Sequence, residues 1–135
     1  MTTLGGIRTG LATRLATISG LRTSSFIPDQ INPPVAVVMP SRISFDRAMH
    51  RGLDEYEFTV VVLVGRADER IAQTLLDDYC NPTGTSSIKT AIEGDRTLGG
   101  VVSDCRVAEM RGISSVLVGD TTYLTAEFVV SVFAQ

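Results

Sequence analysis

The residues able to do chemistry in this 135-residue chain are few. His50 is the sole histidine, and the two cysteines are Cys80 and Cys105. A structural zinc site needs four converging ligands, usually as closely spaced pairs, and no such pair occurs here. A nucleophile–histidine arrangement would need His50 beside a serine or cysteine, and no local signature singles one out. Carboxylates cluster at Asp54, Glu55 and Glu57 and again at Asp77 and Asp78. Such groups can bind a divalent cation or exchange protons. Neighbouring residues on a helix diverge by about 100°, however, so Asp77 and Asp78 do not chelate together. The segment Gly94-Asp95-Arg96-Thr97-Leu98-Gly99 comes nearest to a phosphate loop, but it lacks the lysine and hydroxyl that follow the last glycine of that motif. After the apolar run ending at Val64, Gly65 stands alone, without the further glycines of a dinucleotide fingerprint. No nucleophile elbow occurs. The reading is a protein that is not an enzyme and takes no cofactor and no metal.

The elements that would carry these residues follow from the apolar pattern. Leu4, Ile7, Leu11, Leu15 and Ile18 recur at helical spacing, with Thr2 or Thr3 as cap, so residues 1–21 are expected to hold an N-terminal helix over about 3–20. Prolines and polar residues over 21–34 predict a loop. Val35–Met39 reads as a short strand closed by Pro40. A polar segment over 40–56 is expected to protrude as an arm before the apolar strand Tyr56–Val64. That strand holds no charge from Val60 to Gly65, so it must be covered on both faces.

Asp68 is placed to cap a helix with Ile71, Ala72, Leu75, Leu76 and Tyr79 inward and Glu69, Arg70, Gln73, Asp77 and Asp78 outward. Asn81-Pro82-Thr83-Gly84 stops it. Ser86 or Ser87 caps a second short helix that carries Ile88, Ala91 and Ile92. The last third alternates as strands: Val101, Ser103, Cys105 and Val107 on one face, turns at Gly112 and Gly119-Asp120, then Tyr123–Phe133. In the last strand Leu124, Ala126, Phe128, Val130 and Val132 form the core face. The order α-β-β-α-α-β-β predicts a single α+β domain over 1–135. Two hairpins would make an antiparallel sheet of about four strands, with the helices on one side.

Composition narrows the function. Hydrophobic residues make up 44% and charged residues 20%, which suits one globular domain. The net charge of −3 argues against nucleic-acid binding through a bulk basic surface. Eleven of the twelve basic residues are arginine, whose planar fork suits carboxylates across protein interfaces. Arg8 and Arg14 interrupt any apolar leader, and no stretch reaches the ~20 apolar residues of a membrane span. The thiols are expected reduced. The arm mixes Arg42, Arg47, His50 and Arg51 with Phe45 and Met49, the composition of a partner contact. With the helix face Glu69, Arg70, Gln73 and Asp77 it forms the candidate interface. The last strand's second face, with Val129, Ser131 and Phe133, offers a further patch.

Several segments together resemble the tail-terminator proteins of long-tailed, siphovirus-type bacteriophages, especially those of actinobacterial hosts. They are Asp46-Arg47-x-Met49-x-Arg51-Gly52-x-Asp54 and Phe58-x-Val60-x-Val62-Leu63-Val64-Gly65-Arg66. They continue through Ala72-Gln73, Leu76-Asp77-x-Tyr79, Pro82-x-Gly84-x-x-Ser87-Ile88, Ala91-Ile92-Glu93, Leu98-Gly99-Gly100-Val101 and Tyr123-Leu124. The resemblance covers most of residues 35–133. It implies a small α+β fold and a homo-oligomeric ring, a hexamer, at the head-proximal end of the tail tube in the virion, assembled in the host cytoplasm. Such a ring stops tube polymerisation and offers a joining surface to the head–tail connector proteins. Phage DNA passes through it without sequence-specific binding. The alternatives are another head–tail joining or tail-tube protein of the same virion, then a small enzyme or ligand-binding module. Changing Arg47→Glu together with Arg51→Glu is expected to block assembly and leave the monomer folded. Assembly at the wild-type level, read by sedimentation, would remove the arm from the interface.

Overall fold

Among the described residues, valine-rich runs build one sheet, and three short helices cover one of its faces. The computed structural model describes residues 3–18, 21–24, 34–45, 54–66, 70–118 and 121–134. The elements are α1 (Leu4–Leu15), β1 (Arg22–Ser24), β2 (Val35–Ser44), β3 (Asp54–Arg66), α2 (Arg70–Cys80), α3 (Ile88–Glu93), β4 (Asp104–Val118) and β5 (Thr121–Ala134). The class is α+β, as the sequence pattern implies. The layout differs from four antiparallel strands: among the described residues the sheet has five, in the order β1-β2-β3-β5-β4. β1 lies in the stretch read as a loop and pairs parallel to β2, while every other pairing is antiparallel. Three residues among prolines and serines carry no alternation to announce a strand; β1 forms because β2 offers it a free edge.

The core lies between the sheet and the helices. Val38, Phe58, Val60, Val62, Phe128, Val130 and Val132 meet Ile7, Leu11 and Leu15 of α1, Leu76 and Tyr79 of α2, and Ile88 and Ile92 of α3 in one cluster. The opposite face is narrower: Val35, Val37 and Leu63 are buried there with Met39, Val61 and Tyr123 against them. The β3 run is thus apolar on both faces, as its charge-free sequence requires. Val129 and Ser131, read as an open patch, are buried, because the central position of β5 between β3 and β4 leaves little room for solvent.

Helix ends follow local chemistry. The Thr3 hydroxyl accepts the Gly6 N–H at 3.0 Å and caps α1. The helix stops at Leu15, short of the predicted end, and continues as tighter turns in which Thr17 and Ile18 donate to Arg14 and Leu15 carbonyls. Ser87, nearly fully buried, caps α3: its oxygen accepts the Thr90 N–H at 3.2 Å and its hydroxyl donates to the Asn81 carbonyl at 2.6 Å. Arg14 Nε donates to the Ala91 carbonyl at 2.9 Å and ties α1 to α3.

Each antiparallel pair carries a bulge, and these account for the misread boundaries. β2 continues past Pro40 to Ser44, with the register shifting between Pro40 and Arg42, so proline interrupts the ladder without ending the strand. The arm therefore begins later than residue 40: Arg42, Ile43 and Ser44 pair with Glu57, Tyr56 and Glu55. Gly112 is not a turn. It sits inside β4 at φ 68°, between Arg111 and Ser114, where two residues face one of β5. A side chain there meets no neighbouring atom, so Gly112→Ala tests conformation alone. It is expected to lower stability by about 1–2 kcal/mol, the cost of left-handed backbone for an L-residue. An unchanged urea midpoint would show that this bulge relaxes freely.

Candidate functional site

The loop between α3 and β4 uses its polar groups on itself. Asp95 accepts the Gly99 N–H at 2.9 Å and the Thr97 hydroxyl at 3.0 Å. Gly100 donates to the Thr97 carbonyl, and so does Val102. Bonds from Thr97 and Gly99 hold the Asp95 carboxyl below its ordinary range. These N–H groups are directed into the turn, so Gly94–Gly100 does not form a phosphate cradle. Leu98 adopts positive φ at 51° so that its side chain reaches the core. β4 begins at Asp104 rather than at Val101, because Arg96 clamps Asp104 with two bonds of 2.8 and 3.0 Å after this turn.

A cleft of about 420 Å³ opens between α3, the end of α2 and β4, with Lys89, Glu93, Arg96, Arg106 and Glu109 around Met110. Its central carboxylate has a structural task. Glu93 Oε2 accepts Lys89 Nζ at 2.6 Å and the Val107 N–H at 3.0 Å, so α3 is pinned to the outer edge of the sheet. Burial works against the Glu93 charge, yet these bonds prevail and hold its carboxyl below the usual value. Burial, reinforced by Asp104, pushes the Cys105 thiol up to about 11, and burial with Asp77 raises Cys80. Both are protonated at neutral pH, the unreactive state of a thiol. Among the described residues no three His, Cys, Asp or Glu side chains converge as a metal site, and no helix is long and apolar enough to cross a membrane.

The candidate interface residues fall in three places. Arg42 stands on β2 beyond the part that β1 covers, with its guanidinium 3.4 Å from Glu57, and Phe45 follows β2, 69% exposed. Arg70, Gln73 and Asp77 project from the solvent side of α2. Arg47, Met49, His50, Arg51 and Glu69 lie outside the described residues, as does the Asp68 cap. Among the described residues, the candidates on β2 and those on α2 belong to different elements and no contact joins them.

One inward assignment is overturned. Ile71 is 79% exposed on α2, while Ala72, Leu76 and Tyr79 face the core. Ala72, Leu76 and Tyr79 set the buried stripe, and Ile71 lies about 100° around the helix from Ala72, on the outer side with Asp78. Ile71 and the half-buried Leu75 line a groove with Arg70, Thr74 and Asp78.

The sequence reading missed a second exposed apolar strip, on β4. Met110 lies opposite Phe128 and Ser115 opposite Leu124, and both partners belong to the helix-side core. Cross-strand partners share a face, and Leu117 follows Ser115 by two, so Met110 and Leu117 project from the helix side. Ser114 pairs with Thr125 on the far side, which returns Ile113 to the helix side beyond the bulge. Yet Ile113 is 54% and Leu117 67% exposed: the face that is core lower in the sheet is bare here. The signal available in the sequence was the charge-free run from Gly112 to Val118.

No family model and no curated protein matches the sequence. Solved structures do resemble it; one of them superposes on the whole chain and 98% of its own, at 18% identity and a TM-score of 0.49, a likeness too slight to carry functional meaning.

Proposed function

We propose that this chain is a structural virion protein of the tail-terminator type, which acts by contact: copies form a ring on the finished tail tube, stop its growth and present a surface to the head–tail connector. The observation that carries this reading is the bare strip Met110–Ile113–Leu117, core-face surface left uncovered at an exposed sheet edge. Exposed apolar surface of this kind marks a protein that works by binding another protein. The sequence resemblance names which assembly, and the exposed, mixed-charge face of α2 supplies the second surface that a head-to-tail ring requires.

Electron microscopy of tails assembled without the protein tests the reading. Overlong tubes are the expected result. Absent tubes would make the chain a tube subunit, and tubes of normal length with no heads attached would make it a joining protein of the neck.

A further inference from the structure

Gly6, Gly10 and Arg14 fall four residues apart on one flank of α1, beside the core stripe of Ile7, Leu11 and Leu15. Glycine weakens a helix interior, yet here the missing side chains leave room that the turn between α3 and β4 fills. A Cβ on Gly10 would lie 3.1 Å from Leu98 Cβ and 3.3 Å from its Cδ1. One on Gly6 would lie 3.8 Å from Val101 Cγ1. At the other end, a Cβ on Gly94 would overlap the Arg14 guanidinium, whose Nε donates to the Ala91 carbonyl at 2.9 Å. The turn thus runs antiparallel along α1, with Gly94 at Arg14, Leu98 at Gly10 and Val101 at Gly6.

The turn is fastened at both ends by bonds that do not involve α1. At its start Glu93 accepts the Val107 N–H. At its end Arg96 clamps Asp104, and the Ser103 N–H donates to the Phe133 carbonyl at 2.8 Å. Leu98 and Val102 anchor its middle in the core. The helix beneath it depends on such support. Twelve residues with three glycines do not make a stable helix alone. α1 packs on β1, β2 and α3, whereas α2 packs on β3, β5 and α3, so the two longer helices hold different parts of the sheet.

We propose that residues 94–103 are a strap across α1, and that α1 and the strap open and close as one unit while β3 and β5 stay paired. α1 does not leave the sheet while Leu98 sits in the notch at Gly10, and the strap has no seat for Leu98 without α1. Such coupling is reciprocal: a change that loosens either segment loosens the other to the same extent. Local opening of contiguous units below the global stability is how domains of this size move without unfolding.

Native-state hydrogen exchange, read by NMR at neutral pH, tests the strap. The helical amides of α1 and the bonded amides of Leu98, Gly100 and Val102 are expected to open together, more readily than those of β3 and β5. Arg96→Ala acts at the far end of the strap, where Arg96 bonds to Asp104 and not to α1. It is expected to speed exchange in α1 about fivefold, as much as in the strap. Gly5→Ala, with no atom within 4 Å, is expected to slow both segments about threefold through helix propensity. Gly10→Leu brings a residue that favours helix but fills the notch of Leu98, and is expected to speed both. Arg96→Ala that speeds the strap alone would overturn the proposal. So would α1 amides that open only with β3 and β5, or a Gly10→Leu chain that exchanges as slowly as Gly5→Ala.

Discussion

Phe58→Ala is expected to destabilise the domain by about 3–5 kcal/mol, the cost of deleting a buried aromatic side chain and leaving its cavity. Phe58 is fully buried in β3, the strand flanked by β2 and β5, and belongs to the cluster where all three helices meet the sheet. Domains of this kind are stable by roughly 5–15 kcal/mol, so the loss is a large share of the total. Phe58→Leu keeps most of the volume and should cost under about 1.5 kcal/mol if its neighbours repack. Urea unfolding followed by far-ultraviolet circular dichroism measures both. A Phe58→Ala loss below about 1 kcal/mol would mean that this residue is not at the centre of the core.

Glu93→Ala should produce the second large effect, about 1–3 kcal/mol, because it leaves the Val107 N–H without its acceptor and removes the partner of Lys89. Glu93→Gln keeps an acceptor for Val107 and should lose less. The pH dependence has a defined sign. Burial opposes the Glu93 charge, but the bonds from Lys89 and Val107 dominate, so the folded carboxyl titrates below its ordinary 4.5. The unfolded chain therefore binds the proton first as pH falls. The contribution of Glu93 is complete above the unfolded value and disappears as pH drops through the folded one. The stability gap between wild type and Glu93→Ala should be constant from neutral pH to about 5.5 and shrink below about 4.5. A gap that does not change with pH would assign the loss to packing rather than to the charged clip.

Much of the fold was open to reading because local pattern and tertiary role coincide. The stripe of Ile7, Leu11 and Leu15 is the buried face of α1, and Ser87 caps α3 as a hydroxyl before an apolar-periodic run should. Leu124 to Val132 alternates as a strand with one face on the core. The helical and two-residue periods survive folding, since they depend only on which side of an element meets the same apolar layer. The bulges did not show. Proline and glycine punctuate turns and bulges alike, and only the neighbouring strand distinguishes the two, as Pro40 inside β2 and Gly112 inside β4 illustrate.

The candidate interface divides the same way. Arg70, Gln73 and Asp77 were legible as an outer helix face because charged and amide side chains resist burial wherever the helix sits. Ile71 was assigned inward because apolar residues usually are, and only the packing that turns Ala72, Leu76 and Tyr79 to the core leaves it outside. Ile113 and Leu117 offered the same ambiguity: an apolar strand residue is core or bare according to whether a helix lies above it.

By itself, then, the sequence determined the class, the helices and the central β3 and β5 strands, because these follow from composition and period along one stretch of chain. Only the tertiary structure decided that a short β1 joins as a parallel edge, where β4 bends, and which apolar side chains stay uncovered. Those features depend on contacts between segments distant in the chain, and no local pattern encodes what lies on the other side of a residue.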